Sequence, residues 1–395
     1  MAFVPNPTLI DGGTGTGNIQ SVRRPLDISN QIAFYNPNAN PFFLLAQEAG
    51  KKASIDPEFK TLEAQIQPFF DEVNNAAGIT AIATTIIVDN GSYFKADDLV
   101  INTRTKEIFQ VSSVATNTLT VVRGYGSVAA QTMNDDDEIR RLGNAFEEGA
   151  GADVSKTVKV DQITNYTEIF KTSLTLTRTE MRTTLHGGAD LPTRQKMSGI
   201  EHAQKIEAAF LFGQKKEYLT TSSVNAATNH PIRLTAGILS FISSNVVDIG
   251  GALSEATFNN EFLRFVFTAD KNFRRKRTIF VSPLVGGIMN QWANGKIQLV
   301  PSDQTFGITV SRYLSFFGEL NIVMHPLLEG VEYSGYSIAV SLENIGYRFL
   351  NGSDTSLETD IVKDGSDQRV DQFLTEAGLS VMLEGVHGYT TGIDG

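Results

Sequence analysis

The chain has 395 residues, 41% hydrophobic and 19% charged, with 44 acids against 33 bases for a formal net charge of −11. That length allows two or three domains with ordinary cores, and the composition separates it from disordered and membrane-spanning classes. The absence of cysteine excludes disulfides, thiolate metal centres and cysteine nucleophiles, and the acidic balance argues against tight gripping of nucleic acid through its phosphates.

Residues 1–50 read as an arm. They hold GGTGTG from Gly12 to Gly17, Arg23-Arg24-Pro25, and YNPNANP from Tyr35 to Pro41, a stretch with no core of its own. Neither the basic leader nor the apolar core of a secretory signal is visible at its start. GGTGTG lacks the preceding strand and following helix that a phosphate loop needs. Phe42 and Phe43 are crowded together with Phe34, Tyr35, Leu44 and Leu45, and such side chains need cover, for which a neighbouring subunit is the expected source. From Lys51 to Gly78 the chain is extended around Pro68, Phe69 and Phe70. Over residues 79–143 short β-rich runs at Thr84 to Val88, Leu99 to Asn102, Ile108 to Val114, Leu119 to Val122 and Glu138 to Leu142 alternate with turns. This pattern predicts a small inserted β-barrel or rolled sheet.

After a returning limb, Phe170, Thr172, Leu174 and Leu176 lie on an alternating strand, and Thr177 with Glu180 matches a capping box for a short helix. Asp190 to Leu219 follows as one long amphipathic helix. Gly199, Ala203, Ile206, Phe210 and Gly213 share its apolar face, while Glu201, His202 and Lys205 fall on the wet side. The apolar run from Leu234 to Val247 is broken by serines and falls short of the ~20 residues a membrane span requires. A second α/β block comprises a helix over Phe258 to Lys271 with Phe258, Phe262, Phe265 and Val266 inward, a buried strand from Thr278 to Pro283, a helix from Leu284 to Trp292, and a strand from Asn321 to Leu328. Tyr336 to Leu350 and the final strands close the fold.

Three stretches carry a family likeness: IEAAFLFG (Ile206 to Gly213), LGNAFEEGAGAD (Leu142 to Asp153) and DQFLTEAGLSVMLEGVHGYTTGI (Asp371 to Ile393). The chain resembles the major capsid proteins of tailed bacteriophages with the Hong Kong 97 type fold. That resemblance implies an α+β protein with an N-terminal arm at 1–50, an extended loop at 51–78 and 144–165, and an inserted β domain at 79–143. It further implies a peripheral domain with a spine helix at 166–230, an axial domain at 231–335, and closing strands of both at 336–395. Copies would form hexamers and pentamers of an icosahedral shell around phage double-stranded DNA, held without sequence-specific binding. Expected partners are a scaffolding protein, a portal and a decoration protein, and the expected location is the virion capsid, assembled in the host bacterial cytoplasm. Since residues 1–50 show no long helical segment, scaffolding is expected from a separate protein. Inter-subunit contacts are expected at Phe42, Phe43, Phe69, Phe70, Glu147, Glu148, Arg274, Arg275 and Arg277, and the spine-helix core at Gly199, Ala203, Ile206 and Phe210.

Catalytic patterns are missing from the sequence. His186, His202, His230, His325 and His387 stand singly, without a His-Glu-x-x-His pair, and neither a Gly-x-Ser-x-Gly elbow nor a Walker loop occurs. The run Asn134 to Glu138 offers hard oxygen ligands, but successive side chains of an extended segment diverge, so it reads as a solvated turn. No cofactor, metal or enzymatic role is expected. The rival readings are an encapsulin-type compartment shell, and a β-rich carbohydrate-active enzyme using Glu147 and Glu148, whose adjacency on a strand would turn them to opposite faces.

Overall fold

KRTIFV, Lys276–Val281, is buried at every position after the first, and a strand buried on both faces must lie between two cores. In the computed structural model of the chain, which describes residues 40–64, 68–151, 160–183, 190–218, 230–269, 276–292, 297–298, 311–362 and 365–394, this is what the strand does. Phe280 enters one hydrophobic cluster, while Ile279 and Val281 enter another. The chain divides into two units, Met1–Thr61 with Thr164–Gly395, and Leu62–Ile163.

The first unit contains two larger sheets. One is ordered β1 (Lys51–Ser54), β19 (Ile345–Leu350), β21 (Gln368–Val381) and β10 (Glu168–Thr177), with β20 (Ser356–Glu358) also on β21. The other runs β13 (Val246–Ala252), β22 (Gly388–Asp394), β18 (Ser337–Val340), β14 (Lys276–Val281), β17 (Glu319–Met324), β16 (Ser311–Leu314) and β15 (Ile297–Gln298). A two-stranded ribbon joins β11 (Lys216–Tyr218) to β12 (Ile232–Leu234). The helices are α1 (Pro41–Gly50), α2 (Arg178–Arg182), α3 (Asp190–Phe212), α4 (Ile238–Phe241), α5 (Glu255–Thr257), α6 (Arg264–Thr268) and α7 (Pro283–Trp292).

The long helix is shorter than its periodicity suggests. It stops at Phe212, and Lys216–Tyr218 is a strand. The reason is steric as well as local: a Cβ on Gly213 would lie 2.3 Å from the Ala209 carbonyl oxygen and 2.4 Å from that of Thr235, so the returning chain occupies the space of a next turn. On the helix, Ile206 and Phe210 are fully buried, Ala203 packs against the same cluster, and the face of Gly199 lies on the Phe373 ring, 3.3 Å from where a Cβ would be. Thr177 caps α2 by accepting the Glu180 amide (3.2 Å), and Lys205 pairs with Glu201 at 2.9 Å.

Two other expectations need correction. Part of the arm is a helix: α1 packs Phe42, Phe43 and Ala46 into the chain's own core with Phe210 and Tyr347. The helix after Phe258 is a π-helix over Phe258–Leu263 between α5 and α6. Its wider turn puts both Phe262 and Leu263 inside, so Val266 and Phe267 follow them inward and Phe265 is left 49% exposed.

The second unit holds a six-stranded sheet ordered β3 (Phe70–Glu72), β8 (Glu138–Asn144), β5 (Asp98–Asn102), β6 (Ile108–Ala115), β7 (Thr118–Val122) and β4 (Thr85–Ile87). All five runs expected between residues 79 and 143 are strands. The outer strands β3 and β4 meet at their ends through the bridge Val73↔Val88, supported by Asn74 N–H to the Ile87 carbonyl at 2.9 Å. Ile86, Val100, Phe109, Leu119 and Ile139 from the sheet, with Val73 at the bridge, belong to a separate core. The remaining strands β2 (Glu58–Glu63) and β9 (Asp161–Tyr166) pair with each other, and the division between the units falls within this pair.

Candidate functional site

At β3 the usual order of polar and apolar side chains is inverted. On β3 the inward position belongs to Asp71, whose carboxylate accepts the Asn90 amide at 2.8 Å. Strand alternation then turns Phe70 outward, 50% exposed, next to Phe69 at 59%. Leu62, Leu142, Phe146 and Val160, in the same unit, are exposed as well. Arg141 lies over the Phe69 ring at 4.9 Å and donates to the Tyr93 carbonyl at 2.8 Å, which steadies the ring without covering it. Scattered exposed apolar residues are ordinary; these six, all within Leu62–Ile163, leave apolar area uncovered in the single chain. Glu147 and Glu148 stand on the same returning limb, in a turn closed by the Ala150 amide on the Glu147 carbonyl (3.1 Å), and both are exposed. They do not lie on a strand, so the alternation argument about their directions does not apply.

The expected contact residues therefore separate. Phe69, Phe70, Glu147 and Glu148 are accessible. Phe42 and Phe43 are not, because α1 folds them inward. Arg277 is 1% exposed, with its guanidinium 5.3 Å from the Phe267 ring centroid and Nη1 donating to the Lys276 carbonyl at 3.0 Å. It is a core residue of β14 instead of a contact residue. Arg274 and Arg275 lie outside the described residues.

Three histidines are built into the first unit. His202, expected on the wet side, is buried. Lys205 Nζ donates to Thr172 Oγ1 (3.2 Å), Thr172 Oγ1 donates to His202 Nδ1 (3.1 Å), and His202 Nε2 donates to Thr375 Oγ1 (2.7 Å), which donates on to Thr355 Oγ1 (2.9 Å). Desolvation first, and Lys205 second, hold its pKa below the ordinary value. His387 is fully buried; its Nδ1 accepts the Ser341 amide (3.2 Å) and its Nε2 donates to the Met382 carbonyl (3.1 Å). His325 meets Glu207 at 2.6 Å with both side chains closed to solvent. The sequence carries a signal for that pair: Glu207 falls on the stripe of α3, four residues after Ala203 and three before Phe210.

The acid run is only partly solvated. Asp137 takes Arg104 Nε and Nη2, each at 2.7 Å, together with Asn102 Nδ2 and the Asn134 amide. The Arg104 bond, acting against burial, brings its pKa down to about 2. Among the described residues no group of three potential metal ligands occurs, and no helix is long and apolar enough to cross a membrane.

A major capsid protein of Pseudomonas phage PaMx41 is 22% identical over 293 residues, spanning 71% of this chain and 68% of that protein. The capsid of a native GTA particle superposes with a TM-score of 0.51 at 8% identity, covering 97% of this chain and 99% of that one, and the capsid of an empty GTA particle does so at 0.51 with 9% identity, covering 95% and 97%. The α+β architecture is of the Hong Kong 97 type. A sequence model of the SU10 major capsid protein family matches residues 11–394, and a match along nearly the whole chain makes it a member of that family.

Proposed function

We propose that this chain is the major capsid protein of a phage head, and that its copies assemble into hexamers and pentamers tiling an icosahedral shell around double-stranded DNA. The observation that carries the reading is the family match over residues 11–394. The exposed apolar limbs support it, since head-to-tail contacts that close into rings need a surface on each copy that a single chain leaves uncovered. Phe69 and Phe70 supply apolar contact area in this scheme, while Glu147 and Glu148, with Arg274 and Arg275, supply charge complementarity between copies. The acidic balance suits a container whose cargo must slide in without sticking. A separate scaffolding protein, a portal and a decoration protein complete the scheme, with assembly in the host cytoplasm.

Residues 79–143 would form an inserted β domain that reinforces the shell. Their ion pairs support that reading, as does a core that they share with Val73 and a sheet that they share with β3. Deleting 79–143 and joining the limbs is expected to leave the first unit folded and to lower the heat resistance of assembled shells. Unchanged assembly, shape and heat resistance would exclude a reinforcing role.

Negative-stain microscopy of the expressed protein, with and without a scaffolding candidate, tests the main reading. Rings or closed shells are expected. A monodisperse 43.1 kDa species under every assembly condition would overturn it.

A further inference from the structure

Three Asn-Gly pairs occur in the chain: Asn90-Gly91, Asn294-Gly295 and Asn351-Gly352. Such a pair is chemically labile, because a glycine nitrogen with no side chain beside it can approach and attack the preceding side-chain amide. Asn294-Gly295 lies outside the described residues. Of the other two, Asn90-Gly91 belongs to the second unit and Asn351-Gly352 to the first, and their surroundings differ.

Asn90-Gly91 is held at each reacting group. The Asn90 N–H donates to Asp71 Oδ2 at 2.8 Å and its Nδ2 to Asp71 Oδ1 at 3.4 Å, while the Gly91 N–H donates to Asn117 Oδ1 at 3.2 Å. Gly91 is buried, and a Cβ there would lie 2.0 Å from the Thr116 carbonyl oxygen, so ring closure has no room. Asn351-Gly352 follows β19 directly. The Asn351 N–H donates to the Ser54 carbonyl at 2.9 Å, the Ser353 N–H to the Leu350 carbonyl at 2.8 Å, and the Ser353 carbonyl accepts the Glu376 amide at 2.9 Å. Those bonds fix the ends of the turn. Its two central residues are exposed, and Gly352 has a φ of +86° with nothing within 4 Å of a would-be Cβ. Among the described residues neither the Asn351 side chain nor the Gly352 N–H has a hydrogen-bond partner.

We propose that Asn351 is a site of spontaneous covalent modification, and that the fold directs deamidation to it and away from Asn90. Gly352 N gives up its proton and bonds to Asn351 Cγ. The Cγ–Nδ2 bond breaks, and Nδ2 leaves with that proton as ammonia, closing a succinimide ring. Water then opens the ring at either carbonyl to give aspartate or isoaspartate, so the balance is one water in and one ammonia out, with no oxidant. Each event adds one negative charge to a chain whose formal net charge is −11. Opening to isoaspartate also inserts a methylene into the backbone between Leu350 and Ser353, and the bond between those two residues is the first to be lost. On the proposed function, a subunit built into a shell is not replaced, so the turns would gather charge as the particle ages; that last step alone rests on the proposed function.

Peptide mapping by mass spectrometry tests the assignment on the full-length chain, kept folded in mildly alkaline buffer and sampled over time. Exchange of NH₂ for OH is expected at Asn351 roughly tenfold or more faster than at Asn90, since closure at Asn90 must first free two hydrogen-bonded groups and open a buried turn. In urea both pairs are solvated, and the two rates should converge. Comparable rates at Asn90 and Asn351 in the folded chain would overturn the proposal, as would an Asn351 that stays intact in the folded chain while it is converted in urea.

Discussion

Arg123 meets Glu107 edge to edge, Nε to Oε1 at 2.7 Å and Nη2 to Oε2 at 2.8 Å, where the glutamate side chain has no exposed surface. Glu107 also accepts the amides of Gly124 (3.1 Å) and Gln131 (2.9 Å), and Arg123 donates to the carbonyls of Thr80, Ala83 and Gln131. Burial alone would raise the carboxyl pKa; Arg123 and the two amides outweigh it and hold the group below its ordinary range. Because neither charge has water to fall back on, Arg123→Ala is expected to destabilise the second unit by about 3–5 kcal/mol. The double change Arg123→Met with Glu107→Leu should cost less than the single one, since it leaves no stranded charge. Hydrogen-exchange protection of β6 and β7 reads both.

His387 makes the first unit acid-sensitive. Desolvation lowers its pKa from 6.5 to about 4. The unfolded chain takes up this proton below about pH 6.5 and the native state only near pH 4. Stability is therefore complete above the upper value, falls through the interval, and levels off beneath it. The shift corresponds to about 3 kcal/mol. Urea midpoints measured across that window should fall with pH, and His387→Gln should flatten the slope while lowering the plateau.

Helix propensity and packing give opposite signs at Gly213. An exposed glycine near the end of a helix gains up to about 1 kcal/mol on replacement by alanine, yet here the new methyl would lie 2.3 Å and 2.4 Å from two carbonyl oxygens. Overpacking wins, and Gly213→Ala is expected to destabilise by about 1–3 kcal/mol. A denaturation midpoint at or above that of the unmodified chain would show that the backbone can move aside.

Aromatic residues close together in the sequence should fail in different ways. Phe43→Ala removes a ring from the core shared with Phe210 and Tyr347, and a loss of about 3–5 kcal/mol is expected in chemical denaturation. Replacing Phe69 and Phe70 by serine touches exposed rings, so stability of the single chain should change by no more than ~0.5 kcal/mol, while yield of rings or shells by microscopy drops. Equal assembly by the Phe69, Phe70 variant would remove these residues from the contact surface.

Local pattern was enough to place the short strands of residues 79–143, because each obeys a period of two and ends at a turn within its own few residues. The strand before α2, the cap at Thr177 and the stripe of α3 were legible for the same reason. What could not be read was which apolar or charged group meets its match within the chain. Phe42 and Phe43 look in sequence like Phe69 and Phe70; the carboxylate that receives their amides lies about 165 residues away on α3. His202 occupies a polar position of the helix, but Thr172 and Thr375 close over it from two strands. Arg277 belongs to a basic run, yet its place on a strand buried on both faces brings it to Phe267. Phe69 and Phe70 were readable as apolar residues on extended chain, whereas the exposure of Phe70 depends on Asp71 taking the inward position.

β21 and β22 bind the first unit in an order set by synthesis. β21 lies between β10 on one side and β19 with β20 on the other, and β22 joins β13 to β18. These strands leave the ribosome after all the strands they connect. Until then β10 and β13 have no neighbours in their sheets, so a nascent or truncated chain presents open edges in place of finished ones. Synthesis of β21 and β22 is what closes both sheets, and a stop codon anywhere ahead of residue 368 should yield inclusion bodies, not a folded subunit.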